Sequence, residues 1–281
     1  MSSPRMSTLS QVFGLDENFR TTKTYQDDLR KVGFGSAATL FSERCVGVEI
    51  EIEKVTNHSD HNPNFAYTEQ DGSLKDNGLE IISYPLAGNN IDFFIGDISR
   101  VLNTTLKGAT FTRRCSMHVH VNVRDFTKDE IVALVASYLC MENLFFNEVT
   151  ELRRNSAYCS ALGDVMLARN NLFNTGYLNG LKYYALNPGP IRSYGTVEFR
   201  HHQGTKDPDE MMAWIFLCQS FVDNVKKIGY NDLRSLILRL NTVSNYSHFI
   251  SLFWGNQHPW INKDLQSLIS PCVGAAKKVI R

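Results

Sequence analysis

Three segments of the chain alternate ionisable with apolar residues at the spacing of a β-strand. The first is VGVEIEIEKV at residues 46–55, where Glu49, Glu51 and Glu53 alternate with valine and isoleucine. Successive side chains of a strand point to opposite faces, so these three carboxylates are predicted to share one face. Carboxylates gathered on one face repel one another, and a divalent cation is the simplest group that neutralises them.

The other two segments follow the same rule. The strand predicted from HVHVNV places three polar side chains on one face: His118, His120 and Asn122. The strand predicted from TVEFRHH does the same with Glu198, Arg200 and His202. Carboxylate and imidazole together suit Mg²⁺ or Mn²⁺, and an arginine on the same face suits an anion such as phosphate.

Each segment also has a simpler interpretation. An acidic strand face is usually solvated, and a single HVH pair is more often structural than a metal ligand. The pair Arg153–Arg154 is explained equally well as solvated side chains near the C-terminus of a helix. The occurrence of all three patterns in one chain favours a common site.

Helices are predicted between these strands. The periodicity of apolar residues indicates helices at 91–106, 130–152 and 210–227, and the last should be buried because its first half is apolar all round. Thr127 and Glu130 form a capping box, and Asp207 caps a helix that begins with proline. No β-α-β alternation is visible. We therefore expect an α+β fold, with helices on one face of an antiparallel sheet and the polar site on the other.

Composition limits the classes of function. Lys+Arg and Asp+Glu both number 29, which argues against a nucleic-acid or membrane-surface role. No apolar stretch is long enough to span a membrane, and no signal peptide is recognisable, so we expect a cytoplasmic protein. The six cysteines are widely spaced, which predicts buried, reduced thiols.

Residues 1–45 are predicted to form an arm, with a short helical piece near 25–32. Residues 46–281 are predicted to form the catalytic domain, with a helical extension from about 229.

The order E-x-E, H-x-H and then E-x-R on successive strands resembles glutamine synthetase and its carboxylate–amine ligase relatives. CSMHVHVN is similar to the histidine strand of that superfamily, and GTVEFRHHQGTKDP to its late strand. DGSLKDNGLEIIS and LRRNSAYCSAL resemble the narrower amidoligase family of phages, bacteria and fungi. The resemblance covers about residues 46–223. It implies a glutamine synthetase/guanido kinase-like fold, in which the polar face of the sheet is concave.

The resemblance also implies roles for individual residues. One metal would be held by Glu51 and Glu80, with a third ligand that the sequence does not place, and the other by Glu49, His118 and Glu198. His120 would contact the nucleotide and Arg200 the phosphoryl group. Candidates for binding substrate carboxylate or phosphate are Arg154, Lys182 and Arg192, the last also as a catalytic group. Asp71 and Ser73 would shape the pocket near Glu80.

The activity implied is ATP-dependent ligation of a carboxylate to an amine through an acyl phosphate, with two Mg²⁺ or Mn²⁺ ions. The substrates would be small molecules, peptides or proteins, in a host cytoplasm if the chain is phage-encoded. His202 is a further candidate for taking the proton of the amine. Three alternatives stay open: a phosphotransferase on the same sheet, a nucleotide- or metal-binding module without turnover, and a structural protein with a solvated acidic face. The oligomeric state is not predicted.

Overall fold

Strands β1 (Val46–Ile52) and β4 (Ser116–Asn122) lie at the centre of a six-stranded antiparallel sheet. The structure is a computed structural model that describes residues 7–13, 44–55, 65–164, 169–174, 180–255 and 264–281. The strand order is β2-β3-β1-β4-β6-β5. The remaining strands are β2 (Ala66–Glu69), β3 (Leu79–Ser83), β5 (Leu186–Asn187) and β6 (Thr196–Gln203).

The register of the sheet brings the three predicted segments side by side. Glu49 pairs with His118, and His120 pairs with Glu198. Glu51 pairs with Glu80 on the other side of β1. Residues that pair directly across antiparallel strands point to the same face, so the ionisable side chains of four strands share one surface.

Helices cover the opposite face of the sheet. The helices are α1 (Leu9–Phe13), α2 (Asn90–Thr104), α3 (Lys128–Asn147), α4 (Glu151–Arg154), α5 (Ile191–Tyr194), α6 (Pro208–Ile228), α7 (Tyr230–Arg239), α8 (Val243–Trp254) and α9 (Leu265–Ile280). The apolar side of β1 and β4, with Val48, Ile50 and Val119 fully buried, faces the helices. Helix α6 packs on β4, α2 packs on α6, and α9 packs on the outer side of α3. The predicted α+β fold with an antiparallel sheet is confirmed.

The helix that is buried all round is α3, not α6. Every residue from Ile131 to Glu142 is buried, because α3 lies between the sheet and α9. Helix α6 instead keeps an exposed side, where Phe216 is 47% exposed. The prediction for residues 210–227 was therefore wrong in this respect. Periodicity within one segment does not show where a later helix such as α9 will pack.

The predicted helix starts are confirmed. Thr127 and Glu130 form a reciprocal capping box, and Asp207 accepts hydrogen bonds from the backbone at the start of α6.

All six cysteines are free and buried, as predicted. Leu9 of the predicted arm is buried, and its N–H donates to the carbonyl of Phe126. The helical piece predicted near 25–32 lies outside the described residues. Among the described helices, none is both long enough and apolar enough to cross a bilayer.

A β-bulge in β6 changes the predicted position of one histidine. The register between β4 and β6 shifts between Met117 and Val119, so that two residues of β6 lie opposite one of β4. His201 faces the helices as alternation predicts, but His202 does so too, with its ring 5.1 Å from that of Trp214 on α6. The prediction that His202 shares the face of the carboxylates is wrong, and it is not placed to take a proton there.

Candidate active site

Glu49 lies between two imidazoles. Its Oε2 is 3.2 Å from Nδ1 of His118, and its Oε1 is 3.2 Å from Nε2 of His120. Burial opposes ionisation, but the hydrogen bonds from both histidines hold the pKa of Glu49 well below its ordinary value. Burial likewise opposes the charged form of His120, yet the hydrogen bond to Glu49 gives this histidine a raised pKa. The two charges stabilise each other across strands β1 and β4.

Glu198 is the carboxylate that β6 contributes. It is 4% exposed, and its Oε1 lies 3.4 Å from Nδ1 of His118. Oε2 accepts a hydrogen bond of 2.6 Å from the side-chain amide of Asn187 on β5. Arg200 forms an ion pair with Oε1, and the charge of Glu198 raises the pKa of Arg200 against the effect of burial. Glu198 therefore links the histidines to the arginine.

Ser116 fixes the orientation of His118. The Ser116 hydroxyl donates to Glu51, which also accepts from the Ser116 backbone N–H at 2.8 Å. The same hydroxyl oxygen lies 2.7 Å from Nε2 of His118. A serine hydroxyl has one proton, and an ionised carboxylate only accepts, so Nε2 of His118 must be the donor to Ser116. Nδ1 therefore donates to Glu49 only when the ring is protonated at both nitrogens, and in the neutral ring it carries a lone pair.

When the His118 ring is neutral, its Nδ1 and one carboxylate oxygen each of Glu49 and Glu198 are three acceptor atoms that face one another. Nδ1 of His118 is 3.2 Å from a carboxylate oxygen of Glu49 and 3.4 Å from one of Glu198. Three acceptors facing one another repel unless a proton or a cation lies between them. Ser116 was not singled out from the sequence, since a serine before H-x-H has no signature of its own.

Glu80 on β3 is the least stabilised carboxylate of this face. It accepts no hydrogen bond from the described part of the chain. Burial and the neighbouring charges of Glu49, Glu51 and Asp71 raise its pKa to about 8. Such a group favours either a proton or a nearby cation.

The acidic residues and histidines form three overlapping groups. Within each group, one ligand atom from every residue lies within 4.8 Å of the others. The groups are Glu49–His120–Glu198, Glu49–Glu80–His118 and Glu51–Asp71–Glu80. The third group gives a partner to the pair Glu51 and Glu80, whose third ligand the sequence did not place. The first differs from the predicted set Glu49, His118 and Glu198 by using His120, although His118 also contacts both carboxylates.

A cavity of about 240 Å³ opens over the second and third groups. Its wall includes Ser73, Lys182 and Arg200 as well as the carboxylates of Glu49, Glu51 and Glu80. Lys182 is exposed, and its Nζ lies 4.7 Å from the centroid of the Tyr183 ring. The guanidinium of Arg200 and the ammonium group of Lys182 are thus basic groups beside these carboxylates in the cavity wall.

Glu53 continues the acidic alternation but does not line the cavity. Strand β1 ends at Ile52, and the next residue but one, Lys54, has a positive φ of 60°. The Glu53 carboxylate is fully buried and accepts hydrogen bonds from Arg114 and from the backbone N–H of Lys75. Burial opposes ionisation, but these donors lower the pKa of Glu53 to about 2. Glu53 therefore anchors the loop that carries Asp71, and its carboxylate does not line the cavity.

Asp71 and Ser73 form the tight turn at the cavity wall. The backbone N–H and the hydroxyl of Ser73 both donate to the Asp71 carboxylate, at 2.8 Å each. The turn therefore presents a carboxylate whose orientation is fixed before any ligand arrives. This position agrees with the prediction that the two residues lie near Glu80.

Two arginines predicted to bind substrate lie elsewhere. Arg192 is exposed, and its guanidinium lies 5.3 Å from the ring centroid of Phe13 in α1. Arg154 donates to the carbonyls of Asn147, the last residue of α3, and of Val149 just after it. Neither arginine is part of the cavity wall.

The neighbouring Arg153 lies directly beneath the site and was missed. Its side chain is 1% exposed and donates to the carbonyls of Arg200 (2.6 Å) and His201 (3.1 Å). No carboxylate of the described residues pairs with it. Arg153 therefore supports the bulged part of β6 from which Arg200 projects. Adjacent arginines have no sequence signal that separates the buried one from the exposed one.

The fold and the site together define an α+β protein with a cavity lined by carboxylates, a histidine and two arginines on an antiparallel sheet. A family model described as "Putative amidoligase enzyme" matches residues 57–222. The chain belongs to this amidoligase family, as the sequence resemblance predicted, and the assignment supports an enzyme of the ligase type. The matched interval includes Glu80, His118 and Glu198 but begins after Glu49 and Glu51. No curated protein matches the chain.

Proposed function

We propose that this protein is an ATP-dependent ligase that joins a carboxylate to an amine and uses two divalent cations. The observation that carries the proposal is the position of His118 Nδ1, which faces oxygens of Glu49 and Glu198 at 3.2 and 3.4 Å. The opposite ring nitrogen is occupied by Ser116. A cation between the three acceptors removes their repulsion.

The donor atoms fit Mg²⁺ or Mn²⁺. Hard divalent cations prefer carboxylate oxygens, and Mn²⁺ also accepts imidazole. One ion would be held by Glu49 and Glu198 with a histidine, and the other by Glu51, Asp71 and Glu80. Hydrogen bonds from Ser116 and Asn187 orient two of these carboxylates, as is usual around metal ligands.

The chain itself would position and neutralise the reacting groups. Bound ATP would transfer its terminal phosphoryl group to a carboxylate, giving an acyl phosphate and ADP, and the cations would neutralise the charge that develops. Arg200, which is held by Glu198 and supported by Arg153, would stabilise negative charge on that phosphoryl group. Lys182, in the wall of the same cavity, would bind a carboxylate of the substrate. The amine then displaces phosphate from the acyl carbon and loses a proton.

The test separates the ligase from its alternatives. Purified protein is incubated with Mn²⁺, ATP and hydroxylamine, with pools of amino acids and of short peptides as carboxylate donors. A ligase releases ADP and phosphate only when both a carboxylate and hydroxylamine are present, and it forms a hydroxamate. A stable phosphorylated product indicates a phosphotransferase. Binding of Mn²⁺ and ATP without ADP release indicates a module, and no Mn²⁺ binding would refute the proposal.

A further inference from the structure

A second cavity, of about 490 Å³, lies next to the acidic one. The two cavities share two wall residues, Arg114 and Tyr158. The second cavity is otherwise lined by Arg113, Glu151, Leu152 and residues 155–157. Arg114 and Tyr158 therefore lie at the boundary between the two cavities.

We propose that the second cavity binds the flanking residues of an acidic peptide whose reacting carboxylate enters the acidic cavity. This inference rests on the proposed ligase function and names the class of its carboxylate substrate. It concerns Arg113, Arg114, Leu152 and Tyr158, none of which is needed to hold a cation.

The size of the acidic cavity is the first argument. Its volume of about 240 Å³ lies below the roughly 300–1,000 Å³ that is usual for small-molecule sites. It accommodates a carboxylate and a phosphoryl group, but not the remainder of a large substrate. The adjoining cavity, at about 490 Å³, falls within the usual range and supplies that space.

The charge of the second cavity is the second argument. Arg113 is exposed and forms no ion pair with any described residue. Arg114 uses Nε and one terminal nitrogen on Glu53, and its other terminal nitrogen makes no hydrogen bond within the described part of the chain. Among the described residues of the wall, Glu151 is the single carboxylate. The cavity therefore offers guanidinium donors to a negatively charged ligand, whereas its neighbour is acidic.

The apolar part of the wall decides between an anion and a peptide. Leu152 is 68% exposed, and Tyr158 is 44% exposed. The Tyr158 ring stands edge-on to that of Tyr183, with centroids 6.1 Å apart. Inorganic phosphate or a free dicarboxylic acid would gain nothing from Leu152. A peptide with acidic and aliphatic side chains can contact both the arginines and the leucine.

The experiment measures peptide capture rather than turnover. Immobilised protein is loaded with Mn²⁺ and a non-hydrolysable ATP analogue, exposed to a random hexapeptide library, and the retained peptides are sequenced by mass spectrometry. We expect enrichment of peptides that contain Asp or Glu beside an aliphatic residue. R113E and L152D should each reduce the retained amount by about tenfold. R234E, a charge reversal at an exposed position of α7, is the matched control and should retain as much as the wild type.

Mn²⁺ affinity, measured on the same samples, separates the two proposals. Normal Mn²⁺ binding without peptide enrichment overturns the peptide subsite and leaves the ligase proposal standing. Enrichment that R113E and L152D do not reduce overturns the assignment to this cavity. Absence of Mn²⁺ binding in the wild type contradicts the proposed function itself.

Discussion

Two glutamates near the cavity, Glu53 and Glu80, have opposite environments. Glu53 is fully buried and accepts hydrogen bonds from Arg114 and from the backbone of Lys75. These donors lower its pKa to about 2, against the effect of burial. Glu80 accepts no hydrogen bond from the described residues, and burial together with Glu49 and other carboxylates raises its pKa to about 8.

The presence or absence of hydrogen-bond donors therefore distinguishes a carboxylate that stabilises the folded state from one that destabilises it. A buried charge with several donors holds two segments together, and removing one partner leaves the other unpaired. A carboxylate placed among other carboxylates destabilises the folded state unless a cation arrives. Proteins accept such a cost mainly at functional sites, where a ligand compensates it. The four predictions below test this separation.

The largest effect is expected for E198Q. The amide keeps the size of the side chain but removes the charge that faces His118, so Mn²⁺ affinity should fall about 1,000-fold, equivalent to about 4 kcal/mol. Isothermal titration calorimetry with Mn²⁺ measures the change. D232N on α7, on the helical side of the molecule, is the control and should bind like the wild type. An unchanged affinity of E198Q would remove Glu198 from the ligand set.

E53Q should instead lower stability, by about 1–2 kcal/mol at pH 7, because the buried side chain loses the charge that accepts hydrogen bonds from Arg114 and from the backbone of Lys75. The sign of the pH dependence follows from the lowered pKa. The contribution of Glu53 is complete above the ordinary pKa of 4.5 and is lost as the pH falls towards about 2. Urea unfolding of both proteins at several pH values measures this, and the difference between them should shrink below pH 4.5. A difference that stays constant down to pH 2.5 would contradict the assignment.

Glu198 and Glu53 also show which features of the site could be predicted from the sequence and which could not. Alternation correctly predicted which faces of β1, β4 and β6 are polar, because the period of a strand leaves little choice. It could not show that β1 ends before Glu53, nor that a bulge turns His202 towards Trp214 on α6. Both depend on pairing with distant strands.

Sequence patterns also missed residues whose role depends on contacts with distant parts of the chain, for the same reason. Ser116 matters because its hydroxyl contacts Glu51 and His118 together, and Arg153 because its guanidinium donates to the carbonyls of Arg200 and His201. The family resemblance supplied Glu80, which no local pattern singles out. Strand order was also outside local inference, since β1 lies between β3 and β4.

E80Q should have the opposite sign from E53Q. In the absence of metal, the neutral amide removes repulsion from Glu49 and Glu51, so the free energy of unfolding at pH 8 should rise by about 1 kcal/mol. The raised pKa of about 8 means that the wild type loses stability as the pH rises from 4.5 towards 8. The variant should lack this loss. Saturating Mn²⁺ should reverse the order of stability, because only the wild type keeps the full ligand set.

For E80Q, thermal unfolding with and without Mn²⁺ provides the measurement. The control is E69Q, which removes a more exposed carboxylate paired with Glu80 on the edge strand β2. If E80Q is less stable than the wild type without metal, Glu80 stabilises the folded state as Glu53 does, and the proposed contrast between the two residues is wrong.

The smallest effect is expected for R154A, which tests the predicted substrate role of this arginine. Its guanidinium is exposed and donates to the carbonyls of Val149 and Asn147, next to the C-terminus of α3. Exposed contacts of this kind contribute little, so the free energy of unfolding should fall by less than about 0.5 kcal/mol. Mn²⁺ and ATP affinities should not change, because Arg154 does not line the acidic cavity. Urea unfolding and calorimetry measure both quantities, and a marked loss of ATP affinity would show that Arg154 reaches the site after all.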